Sequence, residues 1–162
     1  MNTVRLLTAV VACMFFFSVQ AQSVTIKELR MSEGAWAGTY SSADAVSHQH
    51  IIKQVTAKVY GAGKDGIIFS YTFTDGAQHM HADTVFITNQ GKTLAHAEVV
   101  EKNTMEDGAL QVIADENITE NGQSLVLRHI YIIGKNRLQV ARQVRYTSSG
   151  GWMNRDEYLL AK

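Results

Sequence analysis

The sequence has 162 residues, with 15 basic and 15 acidic side chains, and therefore no formal net charge at pH 7. This balance and the lack of basic clusters argue against a nucleic-acid partner, because binding to phosphates needs many Lys or Arg contacts. The length suits one domain with its own hydrophobic core.

Residues 1–21 form a predicted export signal. Arg5 precedes an apolar run over 6–19, and the small-residue pattern Val19-Gln20-Ala21 ends the segment. These are the parts of a secretory signal peptide, and the run is shorter than the roughly 20 apolar residues of a membrane-spanning helix. We therefore predict a periplasmic or secreted protein whose mature chain, 22–162, is a single domain without a transmembrane segment.

The single cysteine lies inside this signal. Val10-Val11-Ala12-Cys13 resembles a bacterial lipoprotein box, in which Cys13 would carry the lipid anchor. The chain stays apolar after Cys13, which favours an extended signal core, so the lipid-anchored form is the alternative. Cleavage after Ala21 would remove the cysteine and leave a mature chain without disulfide or thiol chemistry.

The mature chain starts with a segment over 24–31 that suits either a short helix or an entry strand, and then reads as nine strands. Runs rich in Val, Ile, Tyr, Phe and Thr recur at intervals of roughly 8 to 14 residues, separated by turns that contain glycine, which predicts a β-meander. Asn121-Gly122 is the clearest hairpin signal, because a type I′ turn needs positive φ at both positions. The predicted strands are 35–42, 47–60, 67–74, 78–88, 92–102, 109–118, 123–133, 137–147 and 152–161.

Nine consecutive antiparallel strands predict an all-β fold that closes into a barrel, because closure removes exposed strand edges. A barrel of about eight or more strands can hold one small ligand inside. A flattened sandwich is the alternative architecture.

Alternation along each strand predicts which side chains face the interior. The inward faces are mostly apolar and aromatic, but the strand over 123–133 carries His129 inward and the strand over 137–147 carries Arg142. In the last strand, the same face holds Trp152, Asn154, Asp156, Tyr158 and Leu160. The predicted interior lining is Ile67, Phe69, Tyr71, Phe73, Leu125, Leu127, Tyr131, Leu138 and Val140.

Gly34-Ala35-Trp36, at the start of the first strand, resembles the G-x-W motif of the lipocalins and the wider calycins. The resemblance covers most of the mature chain in size, export and strand order, and bacterial lipocalin-like domains of unassigned function are similar as well. It implies a lipocalin-like barrel with a cup for a small apolar molecule and Trp36 at the closed end. It also implies a late arginine packed over this tryptophan, for which Arg142, Arg145 and Arg155 are candidates.

The polar residues on the buried faces suggest a binding site. A charged group there is costly unless it is paired, so Arg142 either pairs with an inward carboxylate such as Asp156 or Glu116, or helps to bind a ligand. In the second interpretation Arg142 and His129 converge on the polar or anionic head group of the ligand. The predicted ligand-binding residues are Phe69, Tyr71, Phe73, His129, Tyr131, Arg142 and Tyr158.

Two strands carry histidines at alternate positions: His48 and His50, then His79 and His81 with Asp83. Histidine and carboxylate groups bind divalent transition metals. The flanking residues favour two solvent-facing polar strands, so a metal site at His79, His81 and Asp83 is the alternative. In the leading interpretation there is no cofactor.

The sequence contains no G-x-S-x-G nucleophile motif, and Gly61-Ala62-Gly63-Lys64 leads into a strand, unlike a phosphate-binding loop. The leading prediction is an exported binding protein for an apolar small molecule with a polar or anionic head group. The alternatives are a metal-binding protein or metalloenzyme, and a barrel isomerase or cyclase.

Overall fold

The computed structural model describes residues 22–43, 50–74, 79–147 and 150–162, in which ten antiparallel strands close into one barrel. Each strand pairs with its neighbours in sequence, and β10 pairs back with β1. The predicted all-β meander that closes into a barrel is therefore confirmed. The strands are β1 (Gly34–Ala43), β2 (His50–Ala62), β3 (Gly66–Phe73), β4 (Met80–Thr88), β5 (Thr93–Leu94), β6 (Ala97–Thr104), β7 (Leu110–Glu120), β8 (Gln123–Ile133), β9 (Arg137–Tyr146) and β10 (Met153–Ala161).

The tenth strand arises because the predicted strand over 92–102 is broken into β5 and β6. The chain reverses at Ala95, which has φ +54. Residues other than glycine rarely adopt this left-handed conformation, so the sequence carries no turn signal there. At the predicted hairpin, by contrast, Asn121 and Gly122 have φ +51 and +77, as a type I′ turn requires.

The shortness of β5 leaves an opening in the barrel wall. Ladder pairing of β4 with β5 is confined to Ile87 and Thr88, and β6 pairs with β7 only as far as Asp115. Among the described residues, no strand pairs with 80–85 of β4 or with 116–120 of β7 on the sides that face each other. We call this gap between β4 and β7 the side opening.

The N-terminal segment covers the barrel at the start of β1. Helix α1 (Ile26–Leu29) is capped by Thr25, whose side chain accepts a hydrogen bond from the Glu28 amide while the Glu28 carboxylate accepts one from the Thr25 amide. Leu29 is buried in the same core as Trp36. The indole Nε1 of Trp36 donates to the carbonyl oxygen of Ser32 at 2.7 Å. The tryptophan thus packs under this cap. None of the described helices has the length and apolar character needed to cross a membrane.

The charged residue over Trp36 is Lys162, whose Nζ lies 4.6 Å from the centre of a Trp36 ring. The three arginines predicted as candidates have other partners. Arg142 binds Asp156, Arg145 stacks on Trp152, and Arg155 contacts Glu120. The expectation of an arginine at this position is therefore wrong.

The predicted inward face of the last strand is wrong at Trp152 and Asn154, because β10 contains a β-bulge. Asn154 pairs with Gln143 and Asp156 pairs with Arg142, so Arg155 is an extra residue in the ladder. The bulge places Asn154 on the outer side, where it accepts a hydrogen bond from Gln143. Trp152 is also outside, in contact with Arg128 and Arg145. Alternation holds from Asp156 onward.

Candidate functional site

A cavity of about 200 Å³ lies inside the barrel, next to the side opening. Its wall comes from β3, β4, β5 and β7 to β10, together with the turn between β5 and β6. Phe73 is not part of this wall and instead packs edge-on against Tyr40, with ring centres 5.3 Å apart. The predicted ligand-binding residues that line the cavity are Phe69, Tyr71, His129, Tyr131, Arg142 and Tyr158.

A row of polar side chains crosses the cavity on neighbouring strands. Arg142 on β9 lies opposite His129 on β8 and opposite Asp156 on β10. Its Nε donates a 2.7 Å hydrogen bond to Oδ1 of Asp156, whose side chain is only 7% exposed. Burial alone would lower the pKa of Arg142, but the bond to Asp156 and its charge raise it. The pairing with Asp156 that the sequence suggested is therefore present, as a charged pair.

Tyr71 on β3 is a polar side chain that is tightly packed in the wall of the cavity. It is fully buried, and its ring stacks on that of Tyr158 with the centres 3.9 Å apart. Burial raises its pKa well above 10, and the Asp83 charge adds to the shift, so the phenol stays neutral. Its hydroxyl has no hydrogen-bond partner among the described residues. Such an unsatisfied buried group costs about 1–3 kcal/mol.

His129 is held as a neutral imidazole. Burial lowers its pKa below the ordinary value of 6.5. Glu116, whose Oε2 lies 3.8 Å from Nε2 of His129, opposes this shift, while the Arg142 charge reinforces it. One ring nitrogen of His129 is therefore available to accept a hydrogen bond or a proton at neutral pH.

The inner surface of the cavity is apolar and aromatic. Phe69 and Tyr131 stack with ring centres 6.1 Å apart, and Val85, Leu94 and Val140 complete this part of the wall. Burial raises the pKa of Tyr131, so its hydroxyl also stays protonated. The cavity thus offers an apolar body next to a few polar groups, which is the usual composition of a small-molecule site.

The residues predicted as metal ligands do not form one group. His81 Nε2 lies 2.9 Å from Oδ1 of Asp83, whereas His79 is exposed just before β4. His50 is exposed at the start of β2, and His48 is outside the described residues. Within the described ranges, no three His, Cys, Asp or Glu side chains are placed to share a metal ion.

The strand face that carries His79, His81 and Asp83 was expected to point to solvent. This expectation is wrong for Asp83, which lines the cavity. Asp83 shares its face with Val85, which is buried, and Val85 fixes that face inward. The signal was present in the sequence, because the apolar residues Val85 and Ile87 lie on the same strand face as Asp83. His96, which also lines the cavity, carried no such signal because it follows the unexpected turn at Ala95.

A wider concavity of about 640 Å³ lies where β7, β8 and β9 end, between residues such as Asn117, Leu125 and Tyr146. Arg145 is the charged side chain among the residues that line it. It lacks the buried, converging polar groups of the interior cavity, which is therefore the stronger candidate site.

Fold and site together define a closed antiparallel β-barrel with a partly polar interior cavity. No protein-family model matches the sequence, and no curated protein matches it. The crystal structure of Rv2717c from M. tuberculosis is similar to this chain, with a TM-score of 0.58 and 12% identity over 85% of this chain and 96% of that one. At this identity the similarity shows a shared barrel fold.

Proposed function

We propose that this chain is an exported binding protein that holds a small molecule, with an apolar body and a polar head group, in its barrel cavity. The observation that carries the proposal is Tyr71, which lines the cavity and whose fully buried hydroxyl has no hydrogen-bond partner in the described residues. Folding does not ordinarily leave such a group unsatisfied. A ligand that bonds to it would offset its cost.

The polar groups around Tyr71 support a head group that forms directed hydrogen bonds. The neutral His129 can accept one, and the phenols of Tyr131 and Tyr158 remain protonated because burial raises the pKa of both. Phe69 and Val140 offer apolar surface to the rest of the ligand. The side opening beside Asp83 and His96 gives such a molecule a route into the barrel.

Export rests on the signal predicted for residues 1–21, with cleavage after Ala21. Mass measurement of the protein recovered from its host's periplasm or medium tests it. A mature chain that begins at Gln22 is the expected result, and a lipid-modified Cys13 at the N-terminus would support the anchored alternative.

One observation favours an isomerase or cyclase as a second candidate. His129 is neutral, and Glu116 lies beside it in the same cavity, so the pair has the components of a general base. Turnover of a bound molecule, abolished by His129→Gln with binding retained, would establish catalysis. A metal-binding role has less support because His81 and Asp83 meet without a third ligand in the described chain.

Native mass spectrometry of the full protein purified from its own host tests the binding role. We expect an organic adduct that Val140→Phe abolishes, because the larger side chain would fill the cavity. Leu159→Phe is the matched control, since Leu159 is exposed on the next strand. An adduct that survives Val140→Phe in a correctly folded variant would contradict binding in this cavity.

A further inference from the structure

The wall of the cavity carries more negative than positive charge. Among the described residues that line it, three carboxylates, Asp83, Glu116 and Asp156, face one guanidinium, that of Arg142. The 2.7 Å contact between Arg142 and Asp156 pairs one charge of each sign. Asp83 and Glu116 have no arginine or lysine partner among the described residues. Nε2 of His81 lies 2.9 Å from Oδ1 of Asp83, and His129, beside Glu116, is neutral because burial lowers its pKa.

The field of Asp83 extends across the cavity. Burial is the main reason why the pKa values of Tyr71, Tyr131 and Tyr158 are raised. The Asp83 charge raises each of them further, and the Arg142 charge opposes it by a smaller amount. The same carboxylate helps to raise the pKa of Arg142, after Asp156. A negative charge that acts on four lining residues would repel an anionic head group and attract a cationic one.

The two carboxylates that have no arginine or lysine partner among the described residues are also placed to meet a ligand. The side chains of Asp83 and Glu116 are 38% and 29% exposed, on β4 and β7, the two strands that border the side opening. The apolar groups, Phe69 and Tyr131, are more deeply buried. The order from the opening inward is therefore acidic groups first and aromatic rings second.

An independent feature points to the same kind of ligand. Tyr71 lines this cavity, and its completely buried hydroxyl lacks a hydrogen-bond partner among the described residues. A phenol oxygen accepts hydrogen bonds, and an ammonium group has three to donate.

The volume limits the size of the ligand. An engineered apolar cavity of about 150 Å³ holds one benzene molecule, and this cavity measures about 200 Å³. One ring with a short side chain fits that space.

From these features we propose that the cavity binds a small organic cation, a primary amine attached to one aromatic ring or a short apolar chain. The carboxylates of Asp83 and Glu116 hold the ammonium group, and Phe69 and Tyr131 contact the apolar part. This inference rests on the proposed binding function and specifies its ligand class. A cationic group replaces the anionic head group that the sequence suggested from Arg142, because Arg142 is paired with Asp156.

Calorimetric titration at pH 8, above the ordinary titration range of histidine, with three molecules of matched shape tests the inference. The probes are 2-phenylethylamine, 2-phenylethanol and 3-phenylpropionate, which are cationic, neutral and anionic. We expect the amine to bind at least about tenfold more tightly than the alcohol, and the carboxylate most weakly. Asp83→Asn and Glu116→Gln should each weaken binding of the amine more than binding of the alcohol, and so reduce the preference for the amine.

Asp107→Asn is the matched control, because Asp107 is an exposed acid outside the cavity that contacts Arg137. It should leave the preference for the amine unchanged. Equal or tighter binding of the alcohol or the carboxylate would overturn the cationic ligand class and leave the binding function standing. If none of the three probes bound to the folded protein, both the ligand class and the proposed binding of molecules of this size would be overturned.

Discussion

Arg142 on β9 and Asp156 on β10 lie directly opposite each other in the barrel interior, joined by a 2.7 Å hydrogen bond between Nε and Oδ1. Regular alternation from Asp156 to Leu160 places this carboxylate on the inner face of β10, and the bulge at Arg155 turns Asn154 to the outer side. The pair keeps a carboxylate that is only 7% exposed from being buried without a counter-charge. It also uses up the guanidinium charge that would otherwise attract an anion.

Replacing Arg142 by alanine should lower the free energy of unfolding by about 3 kcal/mol, because Asp156 would be left buried without its partner. Urea denaturation measures this change. Arg155→Ala is the control: Arg155 pairs with Glu120 near the surface, and loss of an exposed pair costs less than about 1 kcal/mol. Equal losses of unfolding free energy in the two variants would contradict a larger contribution from the interior pair than from the exposed pair.

Tyr71→Phe should leave the stability unchanged or raise it by about 1 kcal/mol, because it removes a buried hydroxyl that has no partner in the described structure. Ser32→Ala is the matched control. The Ser32 hydroxyl is equally buried but donates to the carbonyl oxygen of Leu29 at 2.6 Å, so its loss should cost about 1 kcal/mol. A clear destabilisation by Tyr71→Phe, measured without ligand, would mean that the hydroxyl has a partner in the folded protein.

The fold was predictable because its signals are local and repeated. Turns such as Asn121-Gly122 and the alternation of Phe69 and Tyr71 with polar residues depend only on neighbours in sequence. The interior position of Arg142 followed from the same alternation. These features were enough to predict a closed barrel and most of the aromatic lining.

The short β5, the side opening and the outward position of Asn154 depend on two irregularities that the alternation of side chains does not encode. The reversal at Ala95 uses a positive φ without glycine, and it creates both the short β5 and the side opening. The bulge at Arg155 decides which residues of β10 face inward. The net charge of the cavity depends on how Asp83, Glu116 and Asp156 meet across strands, so it could be read only from the structure.

Closure of the barrel between β1 and β10 should depend on Gly38. A Cβ atom at this position would overlap the carbonyl oxygen of Leu159 and lie 3.0 Å from its carbonyl carbon. Because these are backbone atoms, Gly38→Ala should destabilise the protein by about 3 kcal/mol. Gly150→Ala, where a Cβ meets no atom of the described residues within 4 Å, should change the stability by less than about 0.5 kcal/mol. Thermal unfolding of the two variants measures the difference, and equal midpoints would contradict the close approach of the strands.

Buried His129 should make the stability depend on pH. Burial lowers its pKa in the folded state below the ordinary 6.5, so between these two values the unfolded chain binds more protons than the folded one. Stability must then rise with pH in that interval. The contribution of His129 is complete above about pH 6.5 and is lost as the pH falls below it.

Urea denaturation of the wild type and of His129→Gln between pH 7.5 and pH 5.5 measures this dependence. The wild type should lose stability more steeply than the variant as the pH falls, because glutamine does not titrate. His50→Gln, at an exposed position on β2, controls for the loss of a histidine elsewhere and should retain the wild-type slope. Because carboxyl groups of the chain also titrate on the acid side of this range, the comparison uses the difference between the variants. A slope that His129→Gln leaves unchanged would show that His129 is not held neutral by burial, and the hydrogen-bond acceptor assigned to it in the cavity would be lost.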